Sequence, residues 1–166
     1  MPLRKKSICQ HVREVDIHIA QRQNDFRLSE TSIRDLVEAF LTHAKCSYDE
    51  VSIHFVDAPE ICDLHGQFFD DPSLTDCISF PMDDSSEEGY RVMGEIFVCP
   101  ETARQYVADH GGDIYKEMTL YVIHGLLHLI GYDDIEEEDE RKMRAAEQEY
   151  LADIGTKNLW LLPLDP

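Results

Sequence analysis

The chain has 166 residues, enough for one domain around one core, and its hydrophobic fraction of 43% is ordinary for a globular protein. A formal net charge of −19 excludes binding to RNA or DNA by electrostatic attraction alone, because positive charge supplies most nonspecific affinity for phosphate. No window is apolar and uncharged enough for a membrane span, and the basic start MPLRKKSICQH has no apolar stretch behind it, so a cytoplasmic protein with no membrane partner is expected.

In chain order, residues 14–20 (EVDIHIA) place Val15, Ile17 and Ile19 on one face, as a half-buried strand does. Ser29 or Thr31 can cap a helix whose apolar side carries Ile33, Leu36, Val37, Phe40, Leu41 and Ala44. Val51, Ile53 and Phe55 alternate again as a second strand. A short helix from Pro59 to Phe69 follows, with Ile61, Leu64 and Phe68 as its apolar stripe, and DDPSLTD is turn chemistry.

Cys77 to Phe80 reads as a strand stopped by Pro81, MDDSSEEG as a loop, and Tyr90 to Cys99 as a further strand. Pro100 opens a helix that Gly111 and Gly112 end. Asp113 caps the next helix, which runs to Gly131. The acidic run from Glu136 to Glu140 is the solvated start of a last helix reaching about Asp153, with Met143, Ala146, Tyr150 and Leu151 on its apolar side. The tail NLWLLPLDP is expected to pack through Trp160 and its leucines. The order β-α-β-α-β-β-α-α-α predicts a compact α+β domain with a mixed sheet of about four strands. The five cysteines (Cys9, Cys46, Cys62, Cys77, Cys99) form no C-x-x-C pair, so reduced, mostly buried thiols are expected rather than a cysteine zinc site.

Chemistry concentrates in VIHGLLHLIGYDD, residues 122–134. His124 and His128 lie one turn apart on one helix face, the spacing with which H-E-x-x-H presents two imidazoles to one metal. Gly131 lets the helix end in a left-handed turn, which can return Asp134 or Asp133 towards the same point as a third ligand. Three protein ligands leave one position for water, as in catalytic zinc sites.

His124-Gly125-x-Leu127-His128-Leu129-x-Gly131-Tyr132-Asp133 resembles the H-G-x-L-H-L-x-G-Y-D-H signature of the YbeY family, the single-strand-specific endoribonucleases of bacterial rRNA maturation. Thr75 to Pro81 is similar to the family's T-D-V-L-S-F-P, and Met93 to Ile96 to its L-G-D-I. Glu117, Met143 and Glu147 also fall in register, and the likeness runs from about Val51 to Tyr150. It implies a single metal-dependent hydrolase domain over residues 1–166, with Zn2+ (or another divalent ion) held by His124, His128 and Asp134. It also implies a role in ribosome biogenesis on ribosomal RNA, with the small ribosomal subunit and a ribosomal or assembly protein as partners. By the same likeness Ser79 and Asp76 border the site; Asp133, from its place in the sequence, is either the residue that orients a ligand or a turn residue capping the next helix.

Two departures stand out. The family's third histidine is Asp134, and a carboxylate adds negative charge at the metal and weakens its Lewis acidity. The family's L-N-x-x-Y-R segment aligns with Leu64 to Phe69, so its arginine is Phe69, which cannot clamp phosphate; Arg91 and Lys116 are the candidate replacements. Two other readings are a metalloprotease-like hydrolase, against which the position after His124 is Gly125 rather than glutamate, and an assembly factor with a mainly structural metal.

Overall fold

The computed structural model describes residues 14–82 and 89–165, so Cys9 and most of the MDDSSEEG loop lie outside the described residues. The elements run β1 (Asp16–Gln21), α1 (Glu30–Ala44), β2 (Glu50–Phe55), α2 (Ala58–Phe69), β3 (Cys77–Pro81), β4 (Val92–Val98), α3 (Pro100–His110), α4 (Ile114–Leu129) and α5 (Glu137–Lys157). This is the expected order, and the four strands form one mixed sheet ordered β1-β2-β4-β3. β1, β2 and β4 are parallel, and β3 runs antiparallel to β4 at the edge. Hence β3 and β4 connect directly through a loop, while the parallel neighbours need helical crossovers.

Local chemistry sets the helix starts. Ser29 caps α1 by accepting from the Ser32 N–H, Asp57 caps α2 at Glu60, and Asp113 caps α4 at Tyr115 and Lys116. The alternating strand residues Ile17, Val51, Ile53 and Phe55 point into the main core, where they meet Leu36, Phe40, Met118, Leu126, Met143 and Tyr150 from the helices. A bulge between β2 and β4 sets Glu50 against Val92 but Ser52 against Glu95, so β4 has one extra residue there. That slip brings both Met93 and Ile96 into the main core. A smaller cluster of Val56, Ile61, Ile78, Phe97 and Cys99 packs with Leu64 of α2.

Some expectations needed correction. Phe68 is 60% exposed, touching Phe80 edge-on at 4.8 Å, because α2 buries only a narrow stripe. Among the described cysteines only Cys99 is buried; Cys46, Cys62 and Cys77 are half-buried, and all four are free thiols. α5 continues past Asp153 to Lys157, where Asn158 takes the left-handed conformation that ends it, because Ile154 still has core to bury against. The tail docks as much by backbone as by side chains. Leu161 is buried, but Leu162 and Leu164 are exposed, and the chain is held by Ser29 N–H to Leu162 O and Leu164 N–H to Arg27 O, both 2.9 Å. Among the described residues no helix is long and apolar enough to cross a membrane.

Helix α4 approaches the sheet closely at Gly125. A Cβ there would lie 2.7 Å from Cys77 Sγ and 3.1 Å from Ile96 Cγ2, so α4 rests its backbone on β3 and β4. Replacing Gly125 by Ala gains about 1 kcal/mol of helix propensity but overpacks the contact by about 1–3 kcal/mol. A net loss of about 1 kcal/mol is expected in urea denaturation, with Gly125→Leu far worse. A stabilised Gly125→Ala protein would show that the helix is not seated this way.

Candidate metal centre

With Gly125 turned to the sheet, His124 and His128 project from α4 into a cleft of about 620 Å3. Their Nε2 atoms are 3.1 Å apart and the rings meet edge-on. Gly131, at φ 107°, reverses the chain after α4. The reversal brings Asp134 Oδ2 to 3.5 Å from His124 Nε2 and 3.6 Å from His128 Nε2. Three ligand atoms thus form a nearly equilateral triangle, and among the described residues this is the group that could hold a metal ion. A tetrahedral zinc with bonds of about 2.0–2.1 Å spaces its ligand atoms by about 3.3–3.4 Å, which is the size of this triangle.

Each imidazole is oriented through its other nitrogen. His128 Nδ1 donates to the Tyr132 carbonyl at 2.9 Å, a bond that exists because the Gly131 turn folds Tyr132 back over the helix end. His124 Nδ1 donates to Glu147 Oε1 at 2.7 Å. Both bonds place a proton on Nδ1 and leave the Nε2 lone pair facing the triangle. Asp133 does not touch either histidine; its carboxylate accepts the Asp134 N–H at 2.7 Å and so fixes the turn that carries the third member.

Glu147 is only 5% exposed, and Arg144 Nη1 donates to both of its oxygens, at 3.1 and 3.0 Å. Burial alone would raise its pKa, yet the hydrogen bonds from His124 and Arg144 hold it below the ordinary carboxylate range. For His124, burial pulls downward, but the Glu147 bond and the charges of Asp76, Glu147 and Asp134 lift the pKa above its usual value. A second cavity of about 580 Å3 adjoins the cleft, sharing Thr75, Asp76 and His124 with it, and is also bordered by Glu117, Tyr121, Arg144 and Glu147. Burial first, and then the charge of Asp76, push the Glu117 carboxyl upward there.

Several sequence expectations can now be placed. Ser79 and Asp76 do line the cleft; the Ser79 hydroxyl donates to the Gly125 carbonyl, and Asp76 accepts from the Cys77 N–H. Phe69 also lines the cleft and is 55% exposed, so it is not a core residue. Arg91 and Lys116 do not line it. The Arg91 guanidinium donates to Ser47 O and lies 4.6 Å over the Tyr48 ring, and Lys116 lies 5.0 Å over Trp160. The cation nearest the histidines is Arg144, reached through Glu147. Sequence reasoning assigned no role to Glu147, although a carboxylate on the same helix face as Met143, Ala146 and Tyr150 is a polar residue at a core position. The protease reading also meets a steric barrier, since a side chain at position 125 would point into Cys77 and Ile96 rather than at the triangle.

Comparison with known proteins identifies the family to which the chain is similar. The family model described as Endoribonuclease YbeY matches residues 17–155. The Endoribonuclease YbeY of Protochlamydia amoebophila (strain UWE25) is 43% identical over 147 residues, covering 89% of this chain and 98% of that protein. That of Chlamydia pneumoniae is 34% identical over 152 residues, covering 89% and 96%. The solution structure of TM1509 from Thermotoga maritima aligns with a TM-score of 0.60 at 26% identity, over 86% of this chain and 91% of that one.

The His124–Glu147 pair carries a pH signature in the metal-free protein. A raised His124 pKa contributes stability that is fully present below the unfolded value of about 6.5 and is lost as pH rises through the folded value. A depressed Glu147 pKa contributes stability present above about 4.3 and lost as pH falls through the folded value. The stability difference between wild type and Glu147→Gln should therefore be largest at weakly acidic pH and shrink at alkaline pH to the part due to Arg144. NMR titration should place His124 lower in the variant; an unmoved His124 would rule out the coupling.

Proposed function

The chain belongs to the YbeY family of endoribonucleases, and from that premise we propose that it is a zinc-dependent, single-strand-specific endoribonuclease. Its substrate is ribosomal RNA, with the 3′ end of 16S rRNA as the region matured, and it works in the cytoplasm in ribosome biogenesis and quality control. Residues 1–166 serve as one hydrolase domain. The observation that carries the reading is the triangle of His124 Nε2, His128 Nε2 and Asp134 Oδ2, with edges of 3.1, 3.5 and 3.6 Å.

His124, His128 and Asp134 would hold the zinc ion, which would supply Lewis-acid chemistry at a phosphate ester and at water. The protein's own part is to hold two neutral imidazoles with their Nε2 lone pairs inward. Glu147 does this for His124 and the Tyr132 carbonyl for His128, while Asp133 sets the backbone that presents Asp134. Asp134 in place of a third histidine makes the centre one unit more negative. Part of that charge is answered by Arg144, whose guanidinium neutralises Glu147 behind His124.

The −19 charge bears on the partner. Phosphate is repelled over roughly a Debye length of 8 Å at physiological salt, so free RNA is a weak ligand, and a basic ribosomal or assembly protein on the small subunit suits the acidic surface. The same charge also favours a second reading, an assembly factor whose metal is mainly structural.

Four measurements test the proposal. One zinc per chain should be found by elemental analysis of dialysed protein, and His128→Ala should lose it; full retention would remove the site. The zinc-loaded protein should cleave single-stranded RNA and leave duplex RNA and casein intact. A zinc-loaded protein inert towards RNA would favour the structural-metal reading. Sedimentation should show tighter binding to small ribosomal subunits than to free oligonucleotides, equal affinity counting against the partner, and cells lacking the protein should accumulate unprocessed 16S 3′ ends.

A further inference from the structure

The cleft that receives His124 and His128 is also lined by His65 and Phe69, one turn apart near the end of α2. Their ring centroids are 5.7 Å apart with the planes tilted by 53°. His65 is fixed in place because its Nδ1 donates to the Ser73 carbonyl at 2.9 Å. Phe69 keeps 55% of its surface in water, forgoing most of the hydrophobic gain a buried ring would have. Its neighbour Phe68 is as exposed, but it leans on Phe80 and does not line the cleft.

Charge decides what such a ring can do here. Among the described residues that line the cleft there is no lysine or arginine, whereas Asp76, Asp133 and Asp134 are all present. The Arg144 guanidinium borders the adjoining cavity but is already paired with Glu147, so an RNA strand entering the cleft meets no unpaired guanidinium among its described lining residues, and a chain at −19 gains little from counterion release. What the cleft does offer is the face of an aromatic ring, and every nucleobase has a matching face whatever its identity.

We propose that Phe69, supported by His65, is a base-stacking platform that holds one nucleobase of the single-stranded RNA substrate in place of a phosphate clamp. The proposal rests on the nuclease reading and deepens it. In a duplex both faces of a base are covered by its neighbours, so a platform of this kind admits only a strand whose bases can splay out. Strand selectivity then comes from stacking rather than from charge.

The test uses full-length protein and a short single-stranded RNA with a normal or an abasic residue at each position in turn, measured by fluorescence anisotropy. Phe69→Ala should weaken binding roughly ten-fold and raise KM more than it lowers kcat, as expected for the loss of one base–aromatic stack. Phe69→Trp should retain affinity, and its indole fluorescence should fall as RNA binds. One abasic position should weaken binding to wild type but not to Phe69→Ala, and Phe68→Ala should bind as wild type does. Because Phe69 is exposed, the variants should keep the wild-type unfolding midpoint. Phe69→Arg should bind RNA with a stronger dependence on salt than wild type. Wild-type affinity in Phe69→Ala, or equal abasic losses in both proteins, would overturn the platform while leaving RNA cleavage intact. Phe69→Ala that loses small-subunit binding but not oligonucleotide binding would overturn it in favour of a protein-docking surface. Wild-type protein that neither binds nor cleaves RNA would remove the nuclease reading and the platform together.

Discussion

The contact between the Gly125 backbone and the Cys77–Ile96 pair is the constraint on which the site depends. α4 can approach β3 and β4 this closely only where one residue has no side chain, and that residue lies between the two histidines in the chain. Since residues 124 and 128 share a face one turn apart, seating 125 on the sheet turns both imidazoles towards the cleft. The same seating forbids a glutamate at 125. A base drawn from that position, as in H-E-x-x-H enzymes, therefore has no room at residue 125 here.

A second layer then converts position into chemistry. Glu147 is a carboxylate taken into a nearly dry environment, which costs several kcal/mol unless partners replace its water. Its partners are Arg144 on its own helix and His124 on the next, so α4 and α5 are joined by a charged bond inside an otherwise apolar seam. That bond stabilises the interface less than its short length suggests, because desolvation offsets much of the attraction. What it secures is the tautomer and the ring plane of His124. On the other histidine, Tyr132 does the same with a carbonyl, which requires no buried charge because the turn after α4 already delivers it.

Much of this was legible in the sequence. The alternation of Val51, Ile53 and Phe55, the caps at Ser29 and Asp113, and the glycine after α4 each report a local rule, and each element appeared where its rule put it. Helical spacing also picked out the two histidines, while the turn glycine left Asp134 or Asp133 as the returning carboxylate and the family likeness favoured Asp134. What spacing did not reveal were partners distant in sequence. Glu147 is 23 residues from His124, and nothing local says that its carboxylate will face α4 rather than solvent. Arg91 and Lys116 failed as replacements for a similar reason: their aromatic partners, Tyr48 and Trp160, draw both to other surfaces. Phe68 and Phe69 mark the limit of the helical pattern, since an apolar stripe shows which residues share a face but not how far the sheet beneath it extends.

The acidity of the chain also acts differently at different depths. On the exposed surface, charges such as Glu137, Glu138 and Glu140 sit in the first turn of α5, where the helix dipole favours them and water screens them. Near the histidines screening is weaker, and the Glu147 hydrogen bond together with the charges of Asp76, Glu147 and Asp134 raises the pKa of His124 despite its burial. A field of that sign favours a bound cation and disfavours an approaching phosphate. The two demands of a metal-dependent nuclease are thus in opposition within one cleft. A cation held at the triangle would reverse that sign locally, over a distance shorter than the screening length, so that an approaching phosphate would be attracted only there.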